Sequence, residues 1–270
     1  DSFQNLYLQD GADVLAPVTA IALYDEFREL TPAGALGDEM IRKLADRLVG
    51  VDLLSRAADL LESQVDFRLK GEEKARVGAR LALVYLFDQN YDHALNALDK
   101  TKVANVSEPL ALQRVLLRAR AHVGLEQPEI ALDLIRPEVG IQADGVRAGI
   151  YWRGGDWKNA SKALAKIVRD VGAKPRQPLD DRQALAVLSL AVAYTLDGKE
   201  TGVSRAVSSC GPAMAGTAYA DAYKLITSGP ELGLVNFRGL DEIAKKVDDF
   251  QGFMEVYRQR VAEGQLSALY

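Results

Sequence analysis

The sequence predicts an all-α protein: an α-solenoid of antiparallel helix pairs that ends in a helical cap. Apolar residues such as Leu44, Leu48 and Val51 recur at spacings of three and four, which places them on one face of a helix. The strict alternation that is typical of strands never continues for more than a few residues. Small and aromatic residues also recur in one order about every 34 positions, which predicts that the helix pairs repeat.

The composition indicates a packed fold that faces water. Of the 270 residues, 48% are hydrophobic, and the formal net charge is −5; disordered chains have fewer apolar residues and a larger net charge. The single cysteine, Cys210, excludes a disulfide scaffold and leaves the redox compartment open. The longest apolar stretch, residues 184–196, is shorter than the ~20 residues of a bilayer span. We therefore expect no membrane span, and the acidic balance argues against nucleic-acid binding.

Residues 1–39 are predicted to form an N-terminal helical segment. The chain begins with Asp1 rather than Met, and apolar residues crowd its first part, among them Leu6, Leu8, Val14 and Leu15. A solenoid normally ends in a polar face. We therefore expect this segment to join upstream sequence that is missing here, and the chain to be a piece of a longer polypeptide.

Residues 40–210 contain five predicted repeat units. In the clearest unit, Ala82 and Tyr85 precede a polar turn, and Tyr91, Ala94 and Leu98 follow it. Small residues let two helices approach closely, and large residues fill the gap to the next pair. The small residue of each first helix is Ala45, Ala82, Ala119, Ala148 or Ala191, and the matching residue of each second helix is Ala57, Ala94, Ala131, Ala160 or Val203.

These units resemble tetratricopeptide repeats. The resemblance covers about residues 40–210 and is clearest around Tyr85 and Ala94 and around Tyr151 and Ala160. The units depart from the family pattern at His122, which replaces an aromatic residue, and at Val203, which replaces a small one. The resemblance implies a right-handed superhelix whose first helices line a concave groove that holds a peptide or a partner helix.

A second resemblance concerns the parent polypeptide. Residues 45–54 and 77–82 are similar to the C-terminal helical part of long bacterial repeat proteins, which often carry an export signal. This resemblance implies a place in the periplasm or cell envelope, although the compartment is otherwise open.

Residues 211–270 are predicted to form the cap. Residues 213–226 and 240–262 have the pattern of longer helices, with Ser228, Gly229 and Pro230 in the break between them. Asp241, Glu242 and the charged residues that follow would supply the polar outer face that ends a solenoid.

The family register places a candidate partner-binding groove on the first helices. Its members are four arginines and four large apolar residues: Arg76, Arg80, Leu83, Phe87, Arg114, Leu116, Arg120 and Trp152. Guanidinium groups bind carboxylates in a forked geometry, so an acidic or C-terminal peptide is the expected ligand. The alternative is that these arginines are ordinary solvated helix positions. The Lys and Asn residues with which some family members clamp chaperone tails are not present.

Few residues point to chemistry. His93 and His122 lie far apart in sequence with no ligand motif around them, and nothing suggests a base beside Cys210. We therefore predict no catalytic, metal or cofactor site, and a non-catalytic scaffold that binds a protein through the groove or an end face. The alternative is a ligand-binding or enzymatic module, for which a polar pocket around His122 and Arg118 would be evidence. The oligomeric state is left open.

Overall fold

The computed structural model describes residues 17–175 and 177–227. Within these ranges the chain forms twelve α-helices and no strand, which confirms the all-α prediction. The helices are α1 Pro17–Phe27, α2 Ala35–Gly50, α3 Leu54–Phe67, α4 Gly71–Phe87, α5 Tyr91–Lys100, α6 Glu108–Gly124, α7 Pro128–Ile135, α8 Ile141–Arg153, α9 Trp157–Asp170, α10 Asp181–Leu196, α11 Glu200–Met214 and α12 Ala220–Thr227. None of these helices combines the length and apolarity that crossing a membrane requires.

The described chain divides into two compact units, residues 17–131 and residues 132–227. In the first unit, helices α2 to α6 each pack on the next helix in sequence, and α4 also packs on α6. In the second unit, α8 to α11 pack in the same way, and α12 packs on α10 and α11. The helices run through the boundaries predicted at residues 40 and 211, because these lie inside α2 and α11.

Apolar side chains on the inner helix faces form the cores. The largest fully buried side chains of the first unit include Met40, Leu44, Leu61, Leu81 and Leu98. In the second unit, a cluster of buried side chains from α8 to α12 includes Trp152, Leu164, Val187, Leu188 and Met214. Burial of this apolar surface is the main favourable contribution to folding.

Five turns of three residues have the same conformation. They are residues 51–53, 88–90, 125–127, 154–156 and 197–199. The middle residue is left-handed in each case, with φ of 62° at Asp52, 55° at Gln89, 59° at Glu126, 67° at Gly155 and 69° at Gly198. The N–H of the third residue donates to the carbonyl five positions earlier over 2.8 to 3.0 Å, as from Asn90 to Tyr85. This is the Schellman arrangement, which satisfies the carbonyls at a helix C-terminus.

Each of these turns lies between the two residues that mark one predicted unit. Those of the first helices lie on α2, α4, α6, α8 and α10, and those of the second helices lie on α3, α5, α7, α9 and α11. Nine of them are at most 1% exposed: Ala45, Ala57, Ala82, Ala94, Ala119, Ala131, Ala148, Ala160 and Ala191. Val203 is half-buried.

The C-terminal part differs from its prediction. Residues 213–226 were expected to form one helix, but α11 ends at Met214 and α12 begins at Ala220. The Thr217 hydroxyl donates to the Met214 carbonyl over 2.8 Å and accepts from the Tyr219 N–H. Threonine hydroxyls compete with helical hydrogen bonds in this way. Pro212 lies inside α11. The predicted helix at residues 240–262 lies outside the described residues.

Candidate partner-binding site

The candidate groove residues occupy three helices. Arg76, Arg80, Leu83 and Phe87 lie on α4, and Arg114, Leu116 and Arg120 lie on α6, all in the first unit. Trp152 lies on α8 in the second unit. Their role in binding a partner stays a prediction.

The four apolar members are buried. Leu83 is 2% exposed, Leu116 3%, Phe87 7% and Trp152 9%. The Trp152 ring packs edge to face against Trp157, with ring centroids 5.2 Å apart. In the folded chain these side chains therefore belong to the interior, and a partner would contact their neighbours rather than the side chains themselves.

Arg76 and Arg80 contact carboxylates of the chain. Arg80 donates to Asp46 on α2 over 2.6 Å, and both side chains are less than one fifth exposed. Arg76 pairs with Glu72 at 3.1 Å and Glu73 at 3.2 Å on its own helix. A carboxylate of a partner would have to compete with these internal carboxylates.

Arg114 is half-buried and donates hydrogen bonds to three groups of the first unit. Its guanidinium donates to the Ala75 carbonyl on α4 over 2.6 Å, to the Thr101 hydroxyl over 3.1 Å and to the Leu98 carbonyl on α5. Burial lowers the pKa of Arg114. This one side chain joins α4, α5 and α6, while Arg120 lies half-buried further along α6.

Asp46 is a residue of the site that the sequence reasoning missed. Burial raises the pKa of its carboxyl to about 6, although the guanidinium groups of Arg80 and Arg42 lower it. Asp46 follows the marker residue Ala45 by one position, and Arg80 precedes the marker residue Ala82 by two. The alignment of the units was therefore the signal that could have placed the two residues on adjacent first helices.

The residues with reactive side chains make local contacts. His93 Nδ1 lies 2.6 Å from the Asn90 side-chain oxygen, and His122 Nδ1 lies 2.8 Å from that of Gln127. Burial raises the pKa of the Cys210 thiol. Among the described residues, no group of three or more His, Cys, Asp or Glu side chains could hold a metal ion.

A small cleft opens between α3, α4 and α5, lined by residues that include Glu62, Tyr85, His93 and Lys100. Burial, together with the nearby Glu62 and Asp59 carboxylates, raises the pKa of Tyr85 to about 12. Lys100 donates to Asp66 over 2.7 Å. These groups bond to one another.

The surroundings of His122 and Arg118 were the expected evidence for a ligand site. Arg118 pairs with Asp99 at 2.5 Å, and His122 bonds to Gln127 in the turn that follows its own helix. Both side chains therefore bond to nearby residues of the chain itself.

No protein-family model, curated protein or solved structure matches the chain.

Proposed function

We propose that the chain is a non-catalytic protein–protein interaction scaffold, built from five tetratricopeptide-like helix pairs stacked in a right-handed superhelix. The observation that carries the proposal is the set of five turns with one hydrogen-bonded conformation. Each turn lies between the two marker residues of its unit, at a constant sequence distance from both. A unit that is repeated along the chain produces this constancy, whereas unrelated helical connections vary in length and geometry.

Two ion pairs support the stacking. Asp46 on α2 pairs with Arg80 on α4, and Asp66 on α3 pairs with Lys100 on α5, each over a sequence separation of 34 residues. One pair joins two first helices and the other joins two second helices. The first helices of two successive units are thus adjacent, and so are their second helices, as the proposed superhelix requires.

The role as a scaffold is supported by the contacts that the polar side chains make within the chain. His93, His122, Lys100 and Tyr85 each take part in a contact with a nearby side chain. Solenoids of helix pairs instead offer extended surfaces to protein partners. A protein or peptide is the proposed partner, bound on the charged faces of α4 and α6 or at an end of the solenoid. The bacterial periplasm or cell envelope is the proposed compartment, by resemblance to long exported repeat proteins.

Affinity capture followed by titration tests this function. The full chain is immobilised and exposed to extract from the cells that produce it, and captured proteins are then purified and titrated against it. We expect saturable binding of at least one protein with a fixed stoichiometry. Enrichment no greater than that on a heat-denatured chain would contradict the proposal.

A matched pair of variants locates the binding face. Arg76→Gln removes a cation of the groove, and Arg136→Gln removes an exposed arginine that pairs with Asp133 three residues before it, as Arg76 does with Glu73. If α4 contributes to binding, Arg76→Gln weakens the affinity several-fold and Arg136→Gln leaves it unchanged. Equal affinities would place the interface on another face.

A further inference from the structure

Helix α9 has one buried face and one basic face. Ala160, Ala163 and Leu164 are buried in the core of the second unit. On the opposite face, Lys158, Lys162, Lys166 and Arg169 are all exposed. At 1.5 Å per residue these four cations follow one another along about 16 Å of the helix. We call these four residues the basic stripe.

The acidic groups near the basic stripe are few and already engaged. Asp144 on α8 is only 6% exposed and bonds to Arg147 at 2.8 Å, with Lys166 further away at 3.5 Å. Asp156 caps α9 by accepting from the Asn159 N–H. Asp170 lies 3.4 Å from Arg169. The stripe therefore carries an excess of positive charge on a chain whose formal net charge is −5.

The cations of the stripe differ from the arginines of the candidate groove. Arg80 and Arg114 are fixed by bonds inside the first unit, whereas the Lys166 side chain is 54% exposed and that of Arg169 is 74% exposed. Exposed ammonium groups on long side chains can approach an incoming carboxylate without breaking a buried contact.

We infer that the basic stripe is the docking surface for an acidic segment of a protein partner, with carboxylates repeated about once per helical turn. This inference rests on the proposed scaffold function and adds to it a further docking face, on α9, and the chemistry of the partner that this face binds. Lysines at intervals of four residues lie about 6 Å apart along the axis. Carboxylates at the same interval on a partner helix have the same spacing, so each cation can face one carboxylate.

Two other anionic partners fit the stripe less well. A helix that binds a lipid surface inserts its apolar face between the headgroups, but the apolar face of α9 is packed in the core. Single-stranded nucleic acid needs aromatic rings on which bases stack. The one aromatic residue of α9, Trp157, packs against Trp152 instead.

Fluorescence anisotropy tests the inference. The probe is a labelled helical peptide with glutamates at every fourth position, titrated with the full chain at low salt. The first variant is Lys158→Glu/Lys162→Glu, which reverses two cations of the stripe. The matched control is Lys70→Glu/Lys102→Glu, which reverses two exposed lysines outside α9 and changes the net charge by the same amount. Circular dichroism confirms that both variants fold.

We expect the stripe variant to lose affinity for the peptide by roughly tenfold or more, and the control variant to lose less than about threefold. Raising the salt concentration should weaken binding of the parent chain steeply, because exposed charges are screened. Equal losses in the two variants would overturn the inference, since they would reflect the net charge alone. Stripe-dependent binding of anionic vesicles or single-stranded DNA, with no such dependence for the acidic peptide, would overturn it as well.

The same two variants separate this inference from the proposed function. If the parent chain captures a partner from extract and both variants retain it equally, the scaffold function stands and the docking face is wrong. If only the stripe variant loses the partner, both are supported. If the parent chain captures nothing, the scaffold function itself fails.

Discussion

Three of the five turns have a left-handed residue that carries a β-carbon: Asp52, Gln89 and Glu126. The left-handed conformation costs such residues about 1 kcal/mol relative to glycine, because Cβ approaches the carbonyl oxygen. The other two turns have glycine at this position. The turn geometry is thus retained even where the residue type does not favour it.

Glycine substitution at these turns should stabilise the chain. We expect Gln89→Gly and Glu126→Gly each to raise the free energy of unfolding by about 0.5 kcal/mol, since the relief of strain exceeds the entropy that glycine adds to the unfolded chain. Gly155→Ala should lower it by about 1 kcal/mol, although no atom lies within 4 Å of the added Cβ. Urea unfolding measures all three. A loss of stability in both glycine variants would contradict the shared conformation.

Asp46 gives the stability a pH dependence. Its carboxyl has a pKa of about 6 in the folded chain against an ordinary value of 3.8. Between these values the folded chain keeps a proton that the unfolded chain has lost, so the contribution of Asp46 to the free energy of unfolding falls as the pH rises from about 4 to 6. The loss is on the order of 2–3 kcal/mol. The charged groups that face Asp46 are Arg80 on α4 and Arg42 and Glu39 on its own helix.

Asp46→Asn tests this dependence, because the amide cannot ionise. Urea unfolding between pH 4 and pH 7 should show a smaller decrease in stability for this variant than for the parent chain. Asp99→Asn is the control, since Asp99 is an exposed carboxylate paired with Arg118, and it should retain the parent slope. Identical slopes for the parent chain and Asp46→Asn would show that another group titrates.

At the scale of the elements, the helix pairs could be predicted from the sequence and the exposed faces could not. Small residues such as Ala82 and Ala94 correctly indicated the positions at which two helices pack closely. The groove register placed Leu83 on a binding surface, but the structure buries it, because α4 packs against α3, α5 and α6. With three neighbours, residues on most sides of α4 are buried. An apolar pattern gives the spacing of buried residues, but it does not give the number of neighbours that a helix acquires.

The sequence predicted Arg114 as a groove residue, but no sequence pattern indicates that its side chain bonds to main-chain carbonyls. Arg114→Met should lower the free energy of unfolding by about 2–3 kcal/mol, because it leaves the Leu98 carbonyl in the last turn of α5 without this donor. Arg118→Met, which removes only the pair with the exposed Asp99, should cost less than about 1 kcal/mol. Urea unfolding compares the two, and equal losses would contradict the bonding role of Arg114.

At the scale of the whole molecule, the helices pack mainly on their neighbours in sequence within each unit. In a stacked-repeat protein the stability is approximately a sum of terms for each repeat and for each interface between neighbours. In such a protein, a substitution that weakens one interface should therefore destabilise only the helices beside it. A protein with one cooperative core would instead distribute the same defect over all its helices.

Gly124→Ala is suited to distinguish these cases. A Cβ at this position on α6 would lie 2.3 Å from the Tyr91 ring on α5, so the ring or the helices must shift, at a cost of about 1–3 kcal/mol. If the repeats are stacked, hydrogen exchange should become faster in α5 and α6 and stay unchanged in α10 of the second unit. Gly145→Ala on α8 is the matched control, because its Cβ meets no atom within 4 Å and alanine favours the helix by about 1 kcal/mol. It should slow exchange in α8. Faster exchange in α10 of Gly124→Ala, equal to that in α5, would mean that the chain unfolds as one core, and the stacked-repeat proposal would then be wrong.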